Sequence, residues 1–199
     1  MEKTRSQKPE TKKKSVLRDW VESIAIAFVL AMVIRTFVVQ AFKIPTGSMR
    51  MTLVEGDIIL VNKFIYGAKI PLINFGLPAV TLPKRGDVIV FIYPQDPKKD
   101  FIKRLIALPG DTVEIKSGTI YINGSALLDP VFNQRYYYNR GDYGQEGQKI
   151  VVPKDSYYVL GDNSASSQDS RYWGFVPAKN ILGKALVIYW PPQRIRIIK

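Results

Sequence analysis

Residues 101–107 read FIKRLIA, a stretch in which two basic side chains interrupt an otherwise apolar run. Successive side chains of a β-strand point to opposite faces of the sheet, so each face carries one cation among apolar neighbours. The first face is Phe101, Lys103, Leu105 and Ala107, and the second is Ile102, Arg104 and Ile106. Periodicity leaves two interpretations open: both cations reach solvent from a half-exposed strand, or a lysine is held inside the protein.

Similar β-branched runs, separated by Gly, Pro, Asn and Asp, fill the chain beyond Phe42. They are DIILVNK (57–63), DVIVFIY (87–93), TVEIK (112–116), TIYI (119–122), SYYVL (156–160), KALVIYW (184–190) and RIRII (194–198). Residues 116–119 predict a tight hairpin, and Asn123-Gly124 predicts a primed turn. We therefore expect residues 43–199 to form a mainly β domain of bent sheets or small barrels.

A long apolar segment, VESIAIAFVLAMVIRTFVVQAF (21–42), precedes this domain. A helix that spans a bilayer needs about 20 residues, so the segment qualifies if Arg35 reaches the far interface. The Lys12-Lys13-Lys14 cluster then marks the cytoplasmic side. We predict a basic cytoplasmic tail (1–15), a single transmembrane anchor (16–42) and an extracytoplasmic β-rich catalytic domain (43–199).

Two other interpretations of this segment compete. It fits the core of a cleavable signal peptide, with Val39-Gln40-Ala41 as the cleavage site, or a helix that lies in the membrane interface. The retained anchor is favoured because the apolar pattern resumes after Arg35.

The chain of 199 residues has a formal net charge of +12, of which +4 falls in residues 1–15. Such an excess attracts nucleic acid or anionic lipid. The Tyr-, Arg- and Gly-rich residues 129–149 fit either base stacking or a surface excursion. Because the basic start leads into a hydrophobic segment, we expect the lipid bilayer as a partner and no nucleic acid.

The sequence contains neither histidine nor cysteine. A Ser-His-Asp triad and His- or Cys-ligated metal sites are therefore excluded, and we expect no cofactor or metal. Ser48 in KIPTGSM (43–49) lies just after the apolar segment, as an ordinary turn residue or as a nucleophile. A buried, neutral lysine can take the proton of a serine, whereas an arginine stays charged. FIKRLIA supplies Lys103 as the candidate base and Arg104 as a structural or ion-pairing residue.

Three separated motifs resemble those of type I signal peptidases, and they occur in the same order: PTGSM (45–49), KRLIALPGD (103–111) and GDNSASSQDSRYWGFVP (161–177). Members of that family are membrane-anchored serine proteases with a Ser/Lys dyad. The resemblance implies an endopeptidase that removes N-terminal signal peptides from exported preproteins after small residues in an A-x-A pattern. It also implies that Ser48 is the nucleophile and Lys103 the general base.

The same resemblance implies supporting roles. Thr46 and the Ser48 backbone N–H would form the oxyanion hole, Ser167 would help to position the lysine, and Asp169 and Arg171 would form an ion pair. Five apolar residues would line shallow substrate pockets: Phe42, Ile44, Leu53, Phe101 and Ile102. Two departures stand out, since the family commonly has proline at Met51 and Arg-Asp-Asn-like residues at Ser164-Ala165-Ser166. We expect a looser turn after Ser48 and the loss of a charged anchor near Ser167.

Two other functions also fit parts of this sequence. Self-cleaving repressor-type proteases share the Ser/Lys dyad, but they carry a DNA-binding domain where this chain has an apolar segment. The alternative from another class is a membrane-tethered β binding module without catalysis, in which Ser48 is a turn residue.

Overall fold

A computed structural model describes residues 16–33, 39–67 and 78–199. The predicted basic tail and Arg35 lie outside these residues. Within them, the chain is mainly β, as predicted, with twelve strands in two sheets.

The larger sheet has eight of these described strands, and all of its pairs are antiparallel. Seven form the order β1-β2-β11-β3-β4-β9-β10, and β12 pairs with β11. The bounds are β1 Val39–Lys43, β2 Ile58–Asn62, β3 Val88–Ile92, β4 Asp100–Ala107, β9 Ser156–Leu160, β10 Val176–Pro177, β11 Ile181–Trp190 and β12 Arg196–Ile197. Register shifts interrupt β11 and the end of β4, as expected where a sheet bends.

The smaller sheet has the order β7-β6-β5-β8. Its strands are β5 Thr112–Lys116, β6 Thr119–Ile122, β7 Ser125–Ala126 and β8 Ile150–Val151. Both predicted turns are present here. Ser117 and Gly118 have φ of 49° and 77°, and Asn123 and Gly124 have φ of 52° and 82°, which is the pattern of a primed two-residue hairpin turn.

Strand β4 lies where three apolar clusters meet. Leu105 belongs to the cluster with Ile89 and Phe91, Ile102 packs on the cluster of β2 and β11, and Ile106 joins the cluster of the smaller sheet. Consequently both faces of FIKRLIA are covered. Lys103 is 4 % exposed and Arg104 is 0 % exposed, so the interpretation in which both cations reach solvent is wrong.

The apolar N-terminal segment is helical over α1, Val16–Val33. Its described side chains, residues 17–32, are all exposed. No helix among residues 16–33, 39–67 and 78–199 is long and apolar enough to cross a membrane.

The last residues of the predicted anchor form a strand in the structure. Val39–Phe42 belong to β1, which pairs in register with β2 from Val39 opposite Asn62 to Lys43 opposite Ile58. The physical reason is that this short apolar stretch satisfies its backbone groups in the sheet ladder, while Phe42 packs against the β2 and β11 core.

The Tyr- and Arg-rich segment 129–149 contains the short helix α2, Pro130–Asn133. Phe132 and Tyr137 from this segment are buried in the cluster of the smaller sheet. Tyr136 and Tyr138 stay exposed. The segment is thus a surface excursion, and two aromatic side chains anchor it by packing in the core of the smaller sheet.

Candidate active site

Ser48 lies in a 3₁₀ turn, Gly47–Met49, in the connection between β1 and β2. Arg50 N donates to Gly47 O at 3.1 Å, and Thr52 N donates to Met49 O at 3.0 Å. Apolar Met49 is fully buried beneath the turn. The chain therefore holds a nearly buried serine at the end of a sheet, where the core below fixes its backbone.

Lys103 reaches this serine from β4. Its Nζ donates to Ser48 Oγ at 2.8 Å and to Ile102 O at 3.0 Å. The Nζ also lies 5.2 Å from the centroid of the Phe101 ring. Ser48 and Lys103, 55 residues apart in sequence, are thus brought together as predicted.

The surroundings of Lys103 favour its neutral form. Burial lowers the pKa of Lys103 from 10.5 to about 8, although Asp169 and Asp162 act in the opposite direction. Buried amines lose their proton more easily because a low-dielectric interior disfavours the charged form. A lysine with a pKa of about 8 can accept the proton of a serine hydroxyl near neutral pH.

Thr46 lies beside the nucleophile turn. Its Oγ1 is 3.5 Å from Ser48 Oγ, and the side chain lines the same cavity as Ser48 and Lys103. The predicted oxyanion-hole hydroxyl is therefore adjacent to Ser48 Oγ, while the roles of both groups stay predictions.

The three predicted supporting residues, Ser167, Asp169 and Arg171, are all buried. Asp169 and Arg171 form a fully buried bidentate ion pair, with Nε to Oδ1 and Nη2 to Oδ2 both at 2.8 Å. Asp169 also accepts from Gly161 N at 3.0 Å. Ser167 Oγ is buried, but among the described residues it has no hydrogen-bond partner. The structure thus brings the ion pair together and does not place Ser167 in a hydrogen bond with Lys103.

At Ser164-Ala165-Ser166, where the sequence departs from the family pattern, Arg171 of the same ion pair binds Ser164. Arg171 Nη1 donates to Ser164 Oγ at 2.8 Å, and Arg171 Nη2 donates to Ser164 O at 2.9 Å. Tyr138 N donates to Ser164 Oγ at 2.9 Å. A buried serine thus anchors the segment that leads to Ser167, in place of the charged anchor whose loss was expected.

The departure at Met51 coincides with an unusual backbone conformation. Met49 to Thr52 form a type II turn, because Arg50 has φ −51° and ψ 147° and Met51 has φ 92°. Proline is restricted to φ near −65°, so the conformation of residue 51 in this turn is closed to proline.

An apolar cavity of about 270 Å³ opens beside the Ser48–Lys103 pair. Its lining residues are Pro45, Thr46, Ser48, Asp100, Phe101, Ile102, Lys103, Ser166 and Gln168. Of the five predicted pocket residues, Phe101 and Ile102 are in this wall. Ile44 and Leu53 are buried in the β2 and β11 core, and Phe42 packs against that core. These three lie under the site rather than in the cavity wall.

Sequence reasoning missed Pro45, Asp100, Ser166 and Gln168 as cavity residues. Each directly precedes or follows a residue that was singled out, which was the available signal. It also missed Asp162, which binds the guanidinium of Arg104 through both oxygens at 2.8 and 2.6 Å and accepts a hydrogen bond from Thr52 Oγ1. Arg104 is therefore an ion-pairing residue, as predicted.

Comparisons with known proteins agree on one family. The family model described as "Signal peptidase, peptidase S26" matches residues 17–190. A signal peptidase I of Pseudomonas fluorescens is 36 % identical over 92 % of this chain and 76 % of its own length. A signal peptidase I of Leptolyngbya laminosa is 39 % identical over 94 % of this chain and 86 % of its own. A solved signal peptidase I of Enterococcus faecalis is 36 % identical, covering 52 % of this chain and 97 % of its own with a TM-score of 0.43.

Proposed function

This chain belongs to the signal peptidase family, peptidase S26, and we propose that it cleaves signal peptides with Ser48 as nucleophile and Lys103 as general base. It is a serine endopeptidase whose substrates are the signal peptides of preproteins. The observation that carries the proposed mechanism is the 2.8 Å contact between Lys103 Nζ and Ser48 Oγ, made by a lysine that is almost fully buried. The non-catalytic binding module finds no support among these comparisons.

The first half of the reaction forms an acyl-enzyme. Neutral Lys103 accepts the Ser48 hydroxyl proton as Oγ attacks the carbonyl carbon of the scissile peptide bond. The resulting oxyanion lies between the Thr46 hydroxyl and the Ser48 backbone N–H, which donate to it. Lys103, now an ammonium, gives its proton to the leaving amine, so the peptide bond breaks and the mature protein departs.

The second half returns the enzyme to its starting state. Lys103 takes a proton from a water molecule, which attacks the ester carbonyl that links the signal peptide to Ser48. The ester bond breaks, Ser48 regains its proton from Lys103, and the signal peptide leaves with a new carboxylate. One base thus serves both steps, in a protein that contains no histidine.

The cavity wall supports a preference for small residues before the cut. Pro45, Phe101 and Ile102 supply a mostly apolar surface. The cavity of about 270 Å³ has to hold several substrate residues, so each side chain has little room. An extended peptide can pair with strand edges while its alternate side chains enter pockets. Alanine at the positions one and three before the cut fits such shallow pockets.

The proposed localisation is a single-pass membrane protein with its N-terminus in the cytoplasm and residues 43–199 on the outer side. It is supported by the exposed, apolar side chains of residues 24–32 on every side of α1, and by the cluster of three lysines at 12–14. In sealed membranes, protease added from outside should digest the β domain and leave the N-terminal tail intact.

The proposed activity is tested with the full chain, purified in detergent and incubated with a preprotein whose cleavage region is A-x-A. Mass spectrometry should locate the cut directly after the second alanine. Ser48→Ala should abolish cleavage with little change in melting temperature. A cut elsewhere, or normal cleavage by the Ser48→Ala protein, would contradict the proposal.

A further inference from the structure

Asn163 makes two contacts with the turn that holds Ser48, and the reaction described above uses neither. Its side-chain Nδ2 donates to Gly47 O at 2.9 Å, and its backbone N donates to Ser48 O at 3.0 Å. On its other side, Asn163 O accepts from Ser166 N at 3.0 Å, and Ser166 lines the cavity. Asn163 therefore links the nucleophile turn to the opposite wall of the site.

The two acceptors of these bonds lie on either side of the Ser48 Cα. Gly47 O belongs to the peptide unit before it, and Ser48 O belongs to the peptide unit after it. A trans peptide unit is planar, with its C=O and N–H pointing in opposite directions. When Asn163 Nδ2 holds Gly47 O on one side, the Ser48 N–H is therefore turned to the other side.

Fixing both peptide units also fixes the two backbone dihedrals of Ser48. The only remaining freedom of the nucleophile is rotation of Oγ about χ1, which the Lys103 Nζ contact at 2.8 Å restrains. Thus Asn163, together with the Arg50 N–H that also donates to Gly47 O at 3.1 Å, fixes the direction of the N–H that is proposed to stabilise the oxyanion, and it also fixes the backbone from which Oγ extends.

The segment that presents Asn163 is itself held firmly. A Cβ on Gly161 would lie 2.5 Å from Ser48 O and 2.1 Å from Ser167 Oγ, so this segment lies directly against the turn. Asp162 is buried and binds both Arg104 and Thr52. Because its neighbours are tied to β4 and to the nucleophile turn, Asn163 has little freedom to move away.

We propose that Asn163 is a positioning residue that aims the Ser48 backbone N–H into the oxyanion hole. This rests on the proposed function, with Ser48 as the nucleophile. Loss of one oxyanion donor costs about 100- to 1000-fold in kcat, and a donor that is misdirected costs less. We expect Asn163→Ala to lower kcat about 10- to 100-fold, while KM stays unchanged, because the lost stabilisation exists only in the transition state.

The experiment measures kcat, KM, the pH profile of kcat/KM and the melting temperature of the full chain in detergent, with an A-x-A preprotein as substrate. Asn163→Asp is the second variant, because it keeps the size of the side chain and loses the Nδ2 donor. Asn180→Ala is the matched control, since Asn180 is also partly buried and donates through Nδ2 to a backbone oxygen, Ile92 O, at 3.1 Å. Ser48→Ala gives the background rate.

The expected result is a similar loss of melting temperature in Asn163→Ala and Asn180→Ala, with a fall in kcat only at position 163. Asn163→Asp should also lower kcat, and the pH at which the activity of Asn163→Ala is half-maximal should match that of wild type, because this variant adds no charge near Lys103. The inference is overturned if both Asn163 variants keep the wild-type kcat, if only KM changes, or if Asn180→Ala loses kcat equally. An inactive wild-type protein would instead overturn the proposed function, and this inference with it.

Discussion

Replacing Lys103 by methionine should make the protein more stable at neutral pH and inactive at every pH. The Lys103 side chain is buried, and this burial lowers its pKa from 10.5 to about 8. Burying the charged form of Lys103 costs free energy and so lowers the stability of the folded wild-type protein. Because the folded-state pKa is the lower one, this cost is absent above pH 10.5. The cost grows as pH falls from 10.5 to 8, and it reaches its full size below pH 8.

The size of this penalty follows from the two pKa values. At about 1.4 kcal/mol for each pKa unit, the difference between 10.5 and about 8 corresponds to about 3 kcal/mol. Methionine loses the hydrogen bonds to Ser48 Oγ and Ile102 O, which contribute about 1 kcal/mol each. Lys103→Met should therefore gain about 1 kcal/mol over wild type at pH 7 and lose about 2 kcal/mol near pH 11.

Denaturant melts of the full chain in detergent, run from pH 7 to pH 11, measure the free energy of unfolding of both proteins. The matched control is Lys116→Met, because Lys116 is exposed on the β5–β6 hairpin and the variant makes the same chemical change without emptying a buried site. In a parallel cleavage assay, wild-type kcat/KM should rise about tenfold per pH unit below pH 8 and level off above it. Lys103→Arg should be inactive, since a guanidinium keeps its proton.

The reasoning fails if the difference in unfolding free energy between Lys103→Met and wild type is constant between pH 7 and pH 11. It fails equally if Lys103→Met cleaves the preprotein at the wild-type rate.

Three further outcomes follow from the structure. Met51→Gly should raise the free energy of unfolding by about 0.5–1 kcal/mol, because glycine accepts the positive φ of this turn. Met51→Pro should lower the free energy of unfolding by about 2–3 kcal/mol, because proline cannot adopt that φ. Denaturant melts measure both changes. Arg171→Met should cost about 3–5 kcal/mol in the same melts, since it leaves the Asp169 carboxylate buried and unpaired, whereas Glu55→Gln in an exposed pair should change little. Phenylalanine one or three residues before the cut should abolish cleavage in a preprotein assay, whereas glycine or serine should be tolerated; equal cleavage after Phe and Ala would contradict the assignment of the cavity.

Local sequence patterns predicted most strands because each combines β-branched residues with a turn that follows. Residues 87–93 and 112–124 contain both signals; the structure has strand β3 in the first stretch, and strands β5 and β6 with two primed turns in the second. By contrast, β7, β8 and β10 have two residues each, too few to show a period. Strand β1 was hidden because Val39–Phe42 is as apolar as the helix before it.

The candidate site was predictable only where the motifs resemble a known family. The position of Lys103 on an apolar face was readable from FIKRLIA, but its burial depends on strands β3 and β9 on either side. Asn163 belongs to the motif at 161–177, but its contact with Gly47 could not be predicted, because the two residues are 116 positions apart in the sequence. Ile44 and Leu53 were expected in the pocket wall, because apolar character alone does not distinguish a pocket residue from the core below it.

The long separations within the site also determine when the protein can cut. The proposed base comes from β4, the proposed nucleophile from the turn before β2, and Asn163 from the segment after β9. Contacts that join distant parts of a chain form slowly, because a long loop must close first. A nascent or partly folded chain therefore carries a serine with no proton acceptor beside it. The proposed proteolysis therefore starts only once these parts of the larger sheet have come together.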